Sequence, residues 1–524
     1  MIPVIQLFRV GASNFFVAAL ALLAAGCASL PSLDGRATTS ALTDTATTRL
    51  GRSATTLASA HPGKSGIHSI PIPTDAFAAR VLLAAAADKS LDIQYYIWHS
   101  DQTGTLLFEA VWRAAERGVR VRILLDDANT EGEDDTIATL DAHPNIEIRL
   151  YNPLMQRSAR LTNFVTDFTR VNRRMHNKSF TADNQATIVG GRNVGNEYFG
   201  AGDEVVFTDL DVLAIGPVVN EVSKEFDLYW NSASAYPADR ILAKPSAEAA
   251  AALEAKFAAV RADPEATRYI QAPRETQLVK ELIDHKLPLD WAEARVVADD
   301  PAKTLDTTAR RDVLLITEVM PLMGPPKSSF DLVSPYFVPG DTGTAALEQL
   351  AQRGVKVRVL TNSLAATDVA PVHAGYAKRR CDLLRAGVRL YELKPSAAPY
   401  PKETKSVGSG ASGSAVQLHA KTSAVDGERI FVGSFNFDQR SALLNTEMGM
   451  VIESPALARR LSSALDAGAP TNAYELRVGA DGRCPEWIER TPAGETTYDV
   501  EPGTSASKRG WIEFLEILPI EWLL

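Results

Sequence analysis

"HNKSFTADNQATIVGGRN", from His176 to Asn193, sets out a His, a Lys, an Asp, a Gly and an Asn whose spacing returns late in the chain. The second copy is "HAKTSAVDGERIFVGSFN", from His419 to Asn436. Counted from the His, both carry Lys at +2, Asp at +7, Gly at +14 and Asn at +17. With Lys and Asp each at roughly one residue in twenty, a given His meets both by chance about once in 400 cases. Two of the eight histidines do so here. A repeat of reactive residue types implies two similar halves and one shared site.

The flanking sequence repeats too. In the first half "LDIQYYIW" alternates Leu91, Ile93, Tyr95 and Ile97 and reads as a strand. "TGTLLFEAVWRAAERG" reads as a helix closed by Gly118, and "VRVRILLDD" and "IEIRLYNP" as further strands. The second half answers with "FDLVSPYFVPG", "TGTAALEQLAQRG", "VKVRVLTNS" and "CDLLRAGVRLYEL". Both helices open on Thr-Gly-Thr, at Thr103–Thr105 and Thr342–Thr344. Strand, helix, strand order predicts parallel βαβ units. The expected fold is therefore α/β: two pseudo-symmetric repeats, each a mixed β-sheet flanked by helices, with an active site where the halves meet.

The expected segments are a signal peptide (1–26), a tether (27–74), the first half (75–232), a helical connector (233–310), the second half (311–470) and a C-terminal extension with an apolar tail (471–524). The signal rests on Arg9 before "FFVAALALLAAG", an apolar run too short for a confident span. Ala24, Ala25 and Gly26 before Cys27 resemble a bacterial lipobox, which would make Cys27 the lipidated mature N-terminus. Ala, Ser and Thr enrichment after Cys27 reads as a tether. The expected location is membrane-anchored and exported to the periplasmic side, the choice of membrane left open. The Gly/Ser-rich "KETKSVGSGASGSA" reads as a loop, either a lid or a surface insertion.

Across the 524 residues, 45% hydrophobic and 23% charged content is ordinary for a globular protein. A net charge of −10 argues against a dedicated nucleic-acid binder. Three cysteines, Cys27, Cys381 and Cys484, make neither a disulfide framework nor a metal cluster. A Cys381–Cys484 bridge is open to the chain, though nothing in the sequence requires it.

On a strand, residues i and i+2 share a face, so His176 and Lys178 point together, as do His419 and Lys421. Two such strands would bring two imidazoles and two ammonium groups into one cleft. With the Asn193 and Asn436 amides, the lysines supply donors for a phosphoryl group. One imidazole attacks phosphorus while the other moves the proton, and no metal or other cofactor is required. Each imidazole needs an orienting acceptor. Asp211 in "DLDVLAIG" and Glu447 in "NTEMGMVI" are expected in that role. Asp183 and Asp426 fall on the opposite strand face and are expected to hold the motif loop.

The doubled His-x-Lys-x4-Asp motif, followed by "GGRN" and "GSFN", resembles the phospholipase D superfamily. "LDIQYYIW", "SPYFVPG", "LHAKTSAVD" and "GSFNFDQRS" resemble the bacterial cardiolipin synthases, especially the lipoprotein-like type C branch. The resemblance covers roughly Asp75 to the C-terminus. It implies a phosphatidyltransferase that joins two phospholipids through a phosphatidyl-histidine, with His176 as nucleophile and His419 as general acid/base. It also implies a monomeric active unit, with phosphatidylglycerol and, in the type C branch, phosphatidylethanolamine as substrates. The alternatives are a hydrolytic phospholipase D, a nuclease and a non-catalytic lipoprotein. Gly191 departs from the pattern, standing where the second half has Ser434; the Ser434 hydroxyl is expected to touch the phosphate. Arg157, Arg160, Arg170, Arg173 and Arg174, interleaved with Leu161, Phe164 and Phe168, read either as a bilayer-facing surface or as a solvated face. The tail "WIEFLEILPIEWLL" reads equally as an interfacial element, through Trp511, Phe514 and Trp522, or as a packed one.

Overall fold

The computed structural model describes residues 30–201, 205–283, 286–305, 314–397, 415–519 and 521–524. The signal segment, Cys27 and the Gly/Ser-rich loop lie outside them. In chain order the first strands are β1 Ser65–Ile70, β2 Ser90–Tyr95, β3 Arg120–Asp126, β4 Ile146–Tyr151, β5 Ser179–Ala182, β6 Ala186–Gly190, β7 Val205–Thr208, β8 Asp211–Ile215, β9 Ala235–Pro237 and β10 Asp290–Ala292. The remainder are β11 Ala294–Ala298, β12 Ser329–Val333, β13 Lys356–Asn362, β14 Arg389–Leu393, β15 Ala415–Leu418, β16 Lys421–Val425, β17 Arg429–Gly433, β18 Met448–Ile452, β19 Ala473–Arg477, β20 Glu486–Thr491 and β21 Gly494–Tyr498.

Two large mixed sheets result, ordered β10-β1-β8-β6-β5-β2-β3-β4-β9 and β11-β18-β17-β16-β12-β13-β14-β19-β20-β21. The expected parallel units are present: β2, β3 and β4 run parallel, as do β12, β13 and β14. The motifs add antiparallel hairpins, β5–β6 and β16–β17, each followed by an antiparallel neighbour, β8 or β18. β2 is buried along its whole length and β3 from Val121 onward, as helices pack on the faces of their sheet. The two sheets meet in a shared apolar layer that includes Val189, Val212 and Ala214 from one half and Ile430, Val432 and Met450 from the other.

The structure corrects two readings. Residues 30–71 are not a tether. β1 pairs between β8 and β10, and the Arg36 guanidinium donates to the carbonyls of Asn231, Ser232 and Ala235. Strand pairing and side-chain bonds give this polar stretch partners that its composition does not reveal. The connector also does more than form helices. It holds Ala247–Ala262 and Thr267–Glu275, then passes from one sheet to the other between β10 and β11. Cys381 and Cys484 are disulfide-bonded, tying the C-terminal extension to the second half. Among the described residues no helix is long and apolar enough to cross a membrane.

Candidate active site

Each motif folds as an extended lead-in followed by a hairpin. His176 and Lys178 precede β5, and His419 precedes β16, rather than lying within strands. The motif Asp sits in the hairpin turn at positive φ, 51° for Asp183 and 55° for Asp426, a region that Asp enters more easily than most residues. Asp183 accepts backbone N–H bonds from Asp88, Lys89 and Ser90, and Asp426 from Lys327, Ser328 and Ser329. Both carboxylates thus pin the hairpin to the start of the central strand of their own half.

The lead-ins are held by the opposite half. The His176 amide donates to Thr446 O at 2.8 Å, and the Thr446 amide to Arg174 O at 2.9 Å. Reciprocally, β15 pairs in parallel with β7, and the His419 amide donates to Thr208 O at 2.8 Å. This crossing brings each imidazole to a carboxylate from the other half. His176 Nδ1 lies 2.8 Å from Glu447 Oε2, and His419 Nδ1 lies 2.6 Å from Asp209 Oδ2.

Asp211 is therefore not where the sequence reading put it. It is fully buried between Arg80, at 2.9 Å, and Arg192, at 3.3 Å, and bonds no imidazole among the described residues. Gly190 pairs with Asp211, and Gly433 with Gly449. Asp209, two residues earlier, is accordingly the topological equivalent of Glu447. The signal was present: laying "DLDVLA" over "EMGMVI" residue for residue aligns Asp209 with Glu447. What hid it was a second Asp nearer the strand.

The same geometry explains Gly191. A Cβ there would come within 2.2 Å of Asp209 Oδ1, so the carboxylate occupies the space that Ser434 fills in the other half. Ser434 itself is bonded within the protein. Its hydroxyl donates to Glu447 Oε2 and accepts the Met448 amide at 3.0 Å. Asn193 is likewise committed, receiving the Ile97 amide at its oxygen and donating to the Tyr198 hydroxyl at 2.9 Å. Among the described residues, the buried Asn436 carbonyl oxygen has no hydrogen-bond partner.

Aromatic rings wall the imidazoles. Tyr96 meets His176 edge-on, with centroids 5.0 Å apart. Tyr198 meets His419 edge-on, and Phe207 stacks on it, both at 5.1 Å. His176 is 7% exposed and His419 9%. Each lysine ammonium donates to the carbonyl of its own motif His at 2.5 Å.

Burial dominates the ionisation of these groups. It lowers His176 well below the usual imidazole value, helped by Lys178 and Lys421. It lowers His419 to about 4, with Lys421 adding and Asp209 opposing. Burial also takes Lys178 well below the ordinary lysine value and Lys421 to about 8. Glu447 is raised to about 7 by burial, against Lys178 and the Ser434 and Ser441 hydroxyls. Asp209 goes the other way. Burial pushes it up, but the His419 contact, Lys421 and Arg192 outweigh that and hold it ionised. Lys421 Nζ also lies 3.0 Å from His419 Nδ1. One nitrogen cannot both donate to a carboxylate and accept from an ammonium, and the ionised Asp209 assigns the proton to Nδ1. Nε2 then carries the free lone pair. Two such imidazoles beside two ammonium groups can attack, protonate and stabilise a phosphoryl group. Among the described residues no three His, Cys, Asp or Glu side chains converge as metal ligands.

The arginines before His176 face inward. Arg157 bonds Asp127 and Asp134, Arg160 the carbonyls of Asp127 and Thr130, Arg170 Asp167 and Asn152, and Arg174 Asp126. Arg173 donates to Lys303 O. The cluster braces this segment, so its charges form neither a bilayer-facing surface nor a solvated face. Its apolar members, Leu161, Phe164, Val165 and Phe168, are exposed.

A family model described as "Cardiolipin synthase, PLD-like domain" matches residues 81–230 and 320–467. The chain is 48% identical over 479 residues to cardiolipin synthase C of Escherichia coli (strain K12), covering 91% of this chain and 100% of that protein. It is 25% identical to cardiolipin synthase A of Pseudomonas syringae pv. syringae, covering 73% of this chain and 64% of the relative. Among solved structures, phosphatidylserine synthase of Haemophilus influenzae Rd KW20 aligns with a TM-score of 0.54 at 13% identity. That alignment covers 90% of this chain and 100% of the neighbour and shows a shared fold.

Proposed function

This chain belongs to the cardiolipin synthase family with a PLD-like domain, and on that premise we propose that it is a phosphatidyltransferase that makes cardiolipin from two phospholipids. The observation that carries the chemistry is the crossed pair of His–carboxylate contacts, His176–Glu447 and His419–Asp209, with Lys178 and Lys421 beside them. His176 Nε2 attacks the phosphorus of the first phospholipid. The bond to the headgroup oxygen breaks, and His419 gives that oxygen a proton. His419 then takes the proton of a glycerol hydroxyl on the second phospholipid. This oxygen attacks phosphorus, the N–P bond breaks, and His176 is restored. The phosphodiester anion between the two lysines offsets their charge and raises His419, so that it can carry the proton the first step needs.

The division of roles draws on the family resemblance and on the carboxylates. Asp209, held ionised, is the stronger partner for an imidazole that must become a cation, which suits His419 to acid/base work. Lys178, Lys421 and the Asn436 side-chain N–H groups are the proposed donors to the phosphoryl oxygens, whereas Asn193 and Ser434 support the protein framework. Phosphatidylglycerol is the substrate we propose, with phosphatidylethanolamine as a second. Leu161, Phe164, Val165 and Phe168, just before His176, and Trp511, Phe514 and Ile517 near the C-terminus are exposed and suit a membrane surface. Arg440 links the two regions, bonding Asn172 and the carbonyls of Leu523 and Leu524. Cys27 lipidation and export to the periplasmic side agree with the Cys381–Cys484 disulfide, since such bonds persist in oxidising compartments.

The test is purified protein with labelled phosphatidylglycerol, with and without phosphatidylethanolamine. Labelled cardiolipin is expected. Phosphatidic acid as the sole product would replace transfer with hydrolysis, and no turnover would leave a non-catalytic lipoprotein.

A further inference from the structure

Behind Glu447 the connector between the halves delivers two buried charged residues. Asp299 directly follows the edge strand β11, whose register sets Ala298 opposite Met448. The Glu447 amide donates to Asp299 Oδ2 at 2.8 Å, and the Asp299 amide to Glu447 O at 2.9 Å. The other Asp299 oxygen takes the Leu315 amide at 2.7 Å, and the Tyr229 hydroxyl donates to its carbonyl. Lys303, in the short turn Pro301–Thr304, bonds Asp299 Oδ2 at 3.0 Å and Ser441 O at 2.8 Å. Ser441 in turn donates its hydroxyl to Glu447 Oε1 at 2.7 Å. Asp299, Lys303, Ser441 and Glu447 are all buried. A lysine and an aspartate this deep are costly unless paired and bonded, and here their mutual ion pair also bonds the Glu447 amide and the carbonyl of Ser441.

We propose that Asp299 and Lys303 are positioning residues for His176, acting through Glu447. Neither lies in the segments matched by the family model. Asp299 fixes the backbone of Glu447. Lys303 fixes Ser441, whose hydroxyl holds the carboxylate oxygen that does not face the imidazole. The other oxygen is thereby left aimed at His176 Nδ1. The His419 side is built differently: Asp209 is steadied by the Leu210 amide and by Arg192, all within the first half. The connector thus tunes one imidazole and not the other.

Lys303 also places a positive charge near Glu447. The charged groups facing Glu447 are Lys178 and His176 from the first motif, Lys421 from the second, Asp438 after it, and Asp299 and Lys303 from the connector. Glu447 serves His176 as the carboxylate, so activity rises with pH as Glu447 ionises. Removing the Lys303 cation makes ionisation harder and must move that acid limb upward.

The proposal rests on the two-histidine reading, and its test separates the two. The pH profile of kcat/KM is measured for the full chain on phosphatidylglycerol vesicles, with the wild type active and His176→Ala inactive as the condition that the reading itself holds. Lys303→Met is expected to shift the acid limb up by about one unit, cutting kcat/KM about five-fold at pH 7 and by less than about two-fold at pH 9. Lys303→Arg is expected to return the limb toward the wild-type position. Ser441→Ala leaves the Lys303–Asp299 pair in place, so it decides the matter if Lys303→Met does not fold, and it should move the limb in the same direction. An unmoved limb in the soluble variant, or a loss of equal size at every pH, would overturn the proposal while leaving the two-histidine site standing.

Discussion

The two His–carboxylate pairs come from one duplicated motif, yet they are not copies. On one side Glu447 is cushioned by the hydroxyls of Ser434 and Ser441 and rises to about 7. On the other, Asp209 lies over Gly191 and is held ionised by His419, Lys421 and Arg192. The shorter acid needs the missing side chain at Gly191, and the longer one leaves room for Ser434. Duplication supplied the geometry. Divergence in the surrounding residues separated the electrostatics of the two imidazoles, as the proposed division of roles between them requires.

The largest test of that difference is to remove each imidazole. His176→Ala and His419→Ala should each lower transfer by about 10³-fold or more. They should differ in one respect: only the His419 variant, on brief exposure to labelled phospholipid, retains a residue able to form a phospholipid-protein adduct. An adduct on the His176 variant instead would exchange the two roles.

Next come the neighbouring aspartates. Asp209→Asn should reduce kcat by about 10²–10⁴-fold with little change in melting temperature, because the wrong tautomer of His419 is favoured. Asp211→Asn should do the reverse. It strips Arg80 and Arg192 of a buried partner and costs about 3–5 kcal/mol of stability, read by denaturant unfolding. If Asp211→Asn proved the catalytic lesion and Asp209→Asn the structural one, the crossed pairing would be wrong.

Exchanging the small residues gives intermediate effects. Gly191→Ser forces the Asp209 carboxylate aside and should cost about 1–3 kcal/mol together with activity. Ser434→Gly removes one hydrogen bond to Glu447 and should lower kcat about ten-fold. Equal effects from the two would mean that the acids are interchangeable.

Titration should reveal the asymmetry in wild-type protein. Glu447 must be ionised to orient His176, so kcat/KM should rise with pH through about 7. Lys421 must stay charged to hold the phosphate, so it should fall again through about 8. A flat profile from pH 6 to 9 would remove both groups from the rate equation. The smallest effect is expected at the surface. Phe164→Ser with Val165→Ser should weaken binding to phospholipid vesicles about three- to ten-fold, and leave turnover of a detergent-dispersed substrate nearly unchanged.

Much of this molecule was legible in its residues. Periodic apolar runs and the Thr-Gly-Thr helix openings gave the parallel units, and the repeated spacing singled out both histidines, both lysines and the motif aspartates Asp183 and Asp426. Segments 30–71 and 205–208 were not legible as strand-forming or motif-supporting, because their partners are remote and their own composition is bland. Sequence by itself determined that the protein is a duplicated α/β chain with two His–Lys sets meeting at one site, since local periodicity and exact spacing survive in one dimension. Only the tertiary structure decided which acid serves which imidazole. The choice of Asp209 over Asp211, the crossing of Glu447 to His176, and the buried Asp299–Lys303 pair behind it all depend on strand register and on contacts between halves, which no local pattern encodes.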